Sequence, residues 1–188
     1  GVRRATRMHL RPRWRLWLLA AAALPVLAAC GATPGTTNRP PPPAAVPLPA
    51  GVDTRVERVV DGDTIVVAGG HRVRLIGVDT PETKDPRRGV QCYGKEASAF
   101  LAGVLASGTS VRLVGDVEQH DAYDRTLAYV YRLPDGLFVN AELVRRGYAD
   151  VLTIPPNVAH AAELAALARE ARQGDRGLWA ACAAAQPP

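Results

Sequence analysis

Val60–Thr83 reads VDGDTIVVAGGHRVRLIGVDTPET, and the fold turns on this stretch. Two runs, TIVVA (Thr64–Ala68) and HRVRLIGV (His71–Val78), are rich in β-branched and apolar residues and flank Gly69-Gly70. A Gly-Gly pair between such runs signals a two-residue hairpin turn. Strand alternation then places Val73 and Leu75 on one face and Arg72 and Arg74 on the other. Because paired antiparallel strands bring their far ends together, Asp63 and Asp79 are expected to approach one another at the open end of the hairpin.

Outward from the hairpin, RVERVV (Arg55–Val60) precedes the DGDT turn, and SVRLVGD (Ser110–Asp116) and TLAYVYR (Thr126–Arg132) read as two further strands. Three helices are interleaved. Gly94–Ser107 has apolar residues at helical spacing, with a glycine just past its end. A second helix is predicted to start at Asn140, a good N-cap, and a third to run from Asn157 to Gly174. In the third, Leu164, Leu167, Ala168 and Ala171 share a face. Five strands with a helix between the third and fourth suggest a small closed sheet, of which an OB-like barrel is one form.

The candidate chemistry lies in and beside these strands. Two neighbouring carboxylates repel unless a cation lies between them, and hard cations such as Ca²⁺ and Mg²⁺ take oxygen ligands completed by water. Asp63 and Asp79 could form such a pair, or could simply be turn-favouring aspartates. No His or Cys cluster has zinc spacing. Arg74 and Arg125 carry planar forks that match phosphate oxygens. Glu82 follows Pro81, which stiffens its turn, and a carboxylate there could take a proton from a nearby water or orient it. Each of the three could also be an ordinary solvated residue. A binding module of the same fold, holding single strands or a protein partner without doing chemistry, is the rival; such domains need stacking aromatics and a basic groove, aromatics make up only 5% of this chain, and the acid–arginine set favours an enzyme.

The formal charge of +5 is misleading, because six of the 23 basic residues fall at Arg3, Arg4, Arg7, Arg11, Arg13 and Arg15, while all 18 acids lie after residue 50. Behind RPRWR, the apolar run LWLLAAAALPVLAAC (Leu16–Cys30) has the form of a secretory signal, and LAAC resembles a bacterial lipobox, with Cys30 the lipid-bearing residue. Cleavage there would leave 17 basic and 18 acidic side chains. The high pI is therefore poor evidence for nucleic-acid binding. The remaining cysteines, Cys92 and Cys182, suggest one disulfide in an exported chain, two buried free thiols being the other possibility. GATPGTTNRPPPPAAVPLPA (Gly31–Ala50) reads as a Pro-rich tether. The expected organisation is a lipoprotein signal peptide over residues 1–29, a disordered tether over 30–50, an OB-like folded domain over 51–182 and a flexible tail over 183–188.

Five blocks in order, VDGDT, RLIGVDTPET, GVQCYGKEASAF, DAYDRTLAYVY and NAELVRRGYA, resemble the staphylococcal nuclease (thermonuclease) family across about Val56–Trp179. The resemblance implies an α+β, mainly β fold: a five-stranded OB-fold barrel with three helices, here preceded by the signal peptide and tether. It also implies a Ca²⁺-dependent phosphodiesterase acting on DNA and RNA and leaving 3′-phosphates. Carried over by motif, Asp63 and Asp79 resemble the metal ligands, with Thr80 adding its backbone carbonyl. Arg74 and Arg125 resemble the phosphate-binding arginines, Glu82 the general base and Tyr123 a nucleotide contact. Membrane attachment would come through lipid on Cys30, in an extracytoplasmic monomer. Three positions depart from the family. Asp124 stands where a glycine often precedes the second arginine, Ala122 replaces a lysine, and DVLTIPPN (Asp150–Asn157) lacks the family's tyrosines. Aspartate tolerates left-handed backbone better than most residues, so the turn at Asp124 is expected to survive with some strain.

Overall fold

A computed structural model describes residues 47–83 and 89–183. The expected signal peptide with Cys30, most of the tether and the last five residues lie outside the described residues. Among the described residues, no helix is long and apolar enough to cross a membrane.

Among the described residues, eight strands and four helices follow in chain order: β1 Val52–Val59, β2 Thr64–Val67, β3 His71–Leu75, β4 Gly77–Asp79, α1 Gly94–Val104, β5 Ser110–Val114, β6 Thr126–Arg132, β7 Leu137–Phe138, α2 Val139–Arg145, β8 Asp150–Leu152, α3 Ala161–Gln173 and α4 Leu178–Ala181. Strands β3-β2-β1-β5-β6 are hydrogen-bonded in that order, and β3 also pairs with β6, which closes a five-stranded barrel. This is the OB-type architecture expected from the sequence, with the small strands β7 and β8 and the four-residue helix α4 added to it.

Strand β1 is shared between two halves of the barrel. Val52–Arg55 pair with β5, and Val56, Arg58 and Val59 pair with β2. The register shifts between Val56 and Arg58, leaving Glu57 as an extra residue; such a bulge bends the strand and turns it from one partner to the next. Closure depends on a parallel pairing of β3 with β6, in which Val73, Arg74 and Leu75 face Thr126, Leu127 and Ala128. The interior is filled by Val56, Ile65, Val67, Val73, Leu75, Val111, Ala128 and Val130, continuous with Leu101 of α1, Leu105 just past its end, Leu143 of α2 and Leu164 of α3. Leu48, within the stretch expected to be tether, packs against a second cluster of Ile76, Tyr129 and Tyr131.

Four local expectations are corrected. The hairpin loop has three residues rather than two, because Val67 pairs with His71 and Ala68 lies in the turn with the two glycines. The single strand expected over His71–Val78 is broken at Ile76 into β3 and β4, and Gly77, which opens β4, has a φ of 79°, where a side chain is strained. The chain there changes partner from β2 to β8. The other two corrections are the asparagines. Asn140 lies inside α2, which is preceded by Phe138 in the N-cap position. It is fully buried, its Oδ1 accepts the Val130 N–H at 2.9 Å, and its Nδ2 donates to the Ile76 carbonyl at 2.8 Å. Asn157 stands ahead of α3, which begins at Ala161. Its amide accepts the Glu118 N–H at 2.8 Å and donates to the Glu118 carbonyl at 3.0 Å. In both cases the amide serves backbone groups left unpaired between elements, which in a protein interior must find some partner.

Candidate active site

At the open end of the β2–β3 hairpin, Thr64 pairs with Arg74, and Asp63 immediately precedes Thr64. Asp63 is 8% exposed. One of its oxygens, Oδ2, accepts hydrogen bonds from the Thr80 N–H (3.3 Å) and hydroxyl (3.1 Å); the other accepts from the Thr64 hydroxyl at 3.0 Å. The Arg74 guanidinium lies 3.1 Å from Asp63 Oδ2 and 3.7 Å from Asp79 Oδ1 through the same nitrogen. Two carboxylates and an arginine are thus gathered within a few ångströms, one from before β2, one from β3 and one from the end of β4.

The Asp79 side chain is 60% exposed and so accessible to a ligand. The protein packed behind it nevertheless raises its carboxyl above the ordinary value by partial loss of solvent; Asp63, Asp150 and Glu82 push the same way, and Arg74 opposes them. A third acid, Asp61, went unnoticed in the sequence. Its Oδ1 accepts the Asp63 N–H at 3.2 Å, and its carboxyl is pushed up to about 6, first by burial and then by the charge of Asp63. The signal was available: Asp-Gly-Asp places two acids two residues apart in one turn.

Arg125 is held differently. Its guanidinium pairs with Asp121 at 2.7 Å through both Nε and Nη2. Asp121 also accepts the backbone N–H groups of Tyr123 (2.9 Å) and Arg125 (3.0 Å). Burial alone would raise the Asp121 carboxyl, but these hydrogen bonds and the Arg125 charge outweigh it and hold the carboxyl below its ordinary value. Asp124 adopts φ of 59°, so the left-handed turn does form without glycine. Tyr123 is 82% exposed, with the Arg125 guanidinium carbon 5.5 Å from its ring centre.

Arg74 and Arg125 open onto one cleft of about 330 Å³, whose other walls include Asp121, Leu127, Leu152 and Ile154. The parallel β3–β6 register explains the meeting: Arg74 pairs with Leu127, two residues beyond Arg125. Asp63, Asp79 and Glu82 do not line this cleft; Arg74 is the link between it and the acids. Glu82 stands three residues past Asp79 and within electrostatic reach of it, and its Oε1 accepts the Thr83 N–H at 2.7 Å.

These residues resemble known proteins in more than pattern. The sequence model of the family described as "Staphylococcal nuclease homologue" matches residues 72–181. The chain is 44% identical to a thermonuclease of Staphylococcus intermedius over 127 residues, 66% of this chain and 74% of that protein. Against a thermonuclease of Staphylococcus hyicus the identity is 40% over 128 residues, again 66% and 74%. An endonuclease of Bacillus subtilis, YncB, is 36% identical over 132 residues, 68% of this chain and 62% of that protein. The chain belongs to the staphylococcal nuclease family. All the acids and arginines described above except Asp61 and Asp63 fall within the matched segment of the family.

The donor set fits an oxygen-preferring cation. Asp63 and Asp79 already converge on one positive group, they offer only oxygen, and no thiol or imidazole accompanies them. Among the described residues, no three His, Cys, Asp or Glu side chains converge at metal spacing. A cation here would therefore take two carboxylates, a backbone oxygen and several waters, a shell that Ca²⁺ accepts readily because its coordination is flexible.

Proposed function

We propose that this chain is a Ca²⁺-dependent nuclease that hydrolyses phosphodiester bonds in DNA, RNA or both. The observation that carries the reading is that one guanidinium, Arg74, touches both carboxylates and opens on the cleft that Arg125 shares. The thermonuclease and endonuclease relatives support the same reaction class.

In this reading Asp63, Asp79 and the Thr80 carbonyl hold Ca²⁺, which when bound supplies Lewis-acid polarisation of a phosphoryl oxygen. Arg74 and Arg125 grip the scissile phosphate from the cleft and neutralise charge that grows on its oxygens during attack. Glu82 orients a water and takes one of its protons as the oxygen bonds to phosphorus and the bond from phosphorus to the 5′-oxygen breaks, the leaving oxygen taking a proton from solvent. Tyr123, exposed beside Arg125, contacts the substrate next to the held phosphate. The lipobox-like LAAC and the basic, apolar leader support export and lipid attachment at Cys30, with the nuclease working outside the cytoplasm as a membrane-tethered monomer.

Hydrolysis of single-stranded DNA and of RNA, with Ca²⁺, with Mg²⁺ and with chelator, tests the activity. Ca²⁺ should support cleavage of at least one substrate, chelation should stop it, and Mg²⁺ should restore it poorly because the smaller ion demands a tight octahedron. Glu82→Gln should lower turnover by about 10²–10⁴-fold while leaving Ca²⁺ binding intact by calorimetry. Equal rates for parent and variant would refute the role of Glu82. Cys30→Ser should move the protein from membranes to the soluble fraction; retention in the membrane would refute the anchor.

A further inference from the structure

The segment that carries Glu82 leaves β4 and crosses directly over the start of α1. Gln91 meets it there at two points. Its side-chain Oε1 accepts the Glu82 N–H at 2.7 Å, and its own backbone N–H donates to the Glu82 carbonyl at 2.9 Å. One residue thus engages both backbone groups of another nine positions away. The two segments are also in backbone contact. A Cβ on Gly94 would lie 2.9 Å from the Pro81 carbonyl oxygen, 3.1 Å from that of Glu82 and 2.7 Å from the Thr83 methyl, so only a hydrogen atom fits between helix and loop at this point.

Gln91 is itself tied down. Its carbonyl accepts the Gly94 N–H at 3.1 Å, and its neighbour Cys92 is joined to Cys182 across 90 residues, with the Cα atoms 6.0 Å apart. Cys182 follows α4 and is buried. The start of α1 is therefore fixed covalently to the C-terminal end of the domain at the residue next to the one that holds Glu82.

We infer that Gln91 is a positioning residue for Glu82, clasping its peptide so that the carboxylate is aimed, and that the Cys92–Cys182 bridge anchors this clasp. The inference rests on the reading of Glu82 as the general base. Gln91 reaches no reacting atom; it acts through the backbone of the residue that does. A base is effective only in near-attack geometry, and a shift of about 1 Å can cost on the order of 10²-fold in rate. A glutamate on a loop has no strand or helix to hold its Cα, so the paired hydrogen bonds and the close Gly94 contact take that part.

The test compares Gln91→Leu, which removes the acceptor at similar volume, with Gln91→Glu, which keeps an oxygen at the same reach. Both are made in the full chain and assayed on single-stranded DNA with Ca²⁺, beside Glu82→Gln. Gln91→Leu should lower kcat by about 10-fold or more, with KM and the Ca²⁺ Kd within about twofold of the parent. Gln91→Glu should recover most of the loss. If Gln91→Leu does not fold by circular dichroism, Gln91→Asn, one methylene short of the contact, takes its place with the same expectation. The double variant Cys92→Ser/Cys182→Ser, assayed below its melting temperature, should also lose kcat rather than KM, and should lose little more when Gln91→Leu is added. Parent-like kcat in Gln91→Leu alongside a slow Glu82→Gln overturns the clasp and leaves the base assignment standing. A parent-like Glu82→Gln overturns the base assignment and the clasp with it. A rise in KM or in the Ca²⁺ Kd equal to the whole loss, unrescued by glutamate, reduces Gln91 to a structural residue.

Discussion

The two arginines of the cleft are held in opposite ways. Arg125 is paired with Asp121, four residues away, inside one turn whose backbone N–H groups also serve that acid. Arg74 is held by acids from two other segments, Asp63 before β2 and Asp79 at the end of β4. The first arrangement is local and self-contained. The second depends on the β2–β3 hairpin, whose pairing of Thr64 with Arg74 brings the three segments together. It follows that the loop arginine can be disturbed without much consequence for the fold, whereas the hairpin arginine balances the very carboxylates that a cation would use.

The largest effect that would test this contrast is loss of an acid at the hairpin end. Asp79→Ala should abolish Ca²⁺-dependent hydrolysis and weaken Ca²⁺ binding by calorimetry, because the buried Asp63 cannot hold the ion alone. Next come the arginines, where Arg74→Met and Arg125→Met should each slow cleavage by about 10²–10³-fold. They should differ in stability. Arg74→Met removes the cation shared by Asp63 and Asp79, leaving the buried Asp63 only its hydrogen bonds from Thr64 and Thr80, and should cost about 2–3 kcal/mol by urea unfolding, partly recovered by Ca²⁺. Arg125→Met leaves Asp121 its two backbone hydrogen bonds and should cost less than about 1 kcal/mol. Equal losses in the two variants would break the comparison.

A smaller effect is expected away from the site. Burial alone would raise the Glu142 carboxyl, but hydrogen bonds from Arg145 and Arg146, with their charge, outweigh it and hold the carboxyl below its ordinary value. A depressed carboxyl stabilises the folded state above its unfolded pKa and loses that contribution as pH falls through the folded one. Glu142→Gln should therefore lower the melting temperature at pH 7, and the gap from the parent should close as pH drops below about 4.5. The smallest change tests the turn itself. Asp124→Gly relieves a non-glycine residue at φ of 59° and should stabilise the domain by no more than about 1 kcal/mol while leaving hydrolysis near the parent rate.

What was readable in advance follows the same division. The hairpin, the alternation that puts Val73 and Leu75 inside, and the helix over Ala161–Gln173 were legible because each is written in periodicity over neighbouring residues. Asn140 misled for the same reason. A polar amide ahead of an apolar run looks like a cap, and nothing local reveals that Asn140 is needed 64 residues away, at the Ile76 carbonyl. Asp61 was overlooked because a turn explains it adequately until burial and the charge of Asp63 are seen to act on it.

The sequence by itself determined the strands, the hairpin that draws Asp63 toward Asp79, the family and the residue types at the site, since these depend on short-range pattern and chemistry. Only the tertiary structure decided that Arg74 and Arg125 share a cleft, because that rests on a parallel β3–β6 register between residues some fifty positions apart. It likewise decided that Gln91 grips Glu82 and that Cys92 meets Cys182. Backbone hydrogen bonds and disulfides need atoms within a few ångströms, and for segments far apart along the chain it is the closed barrel that sets those distances.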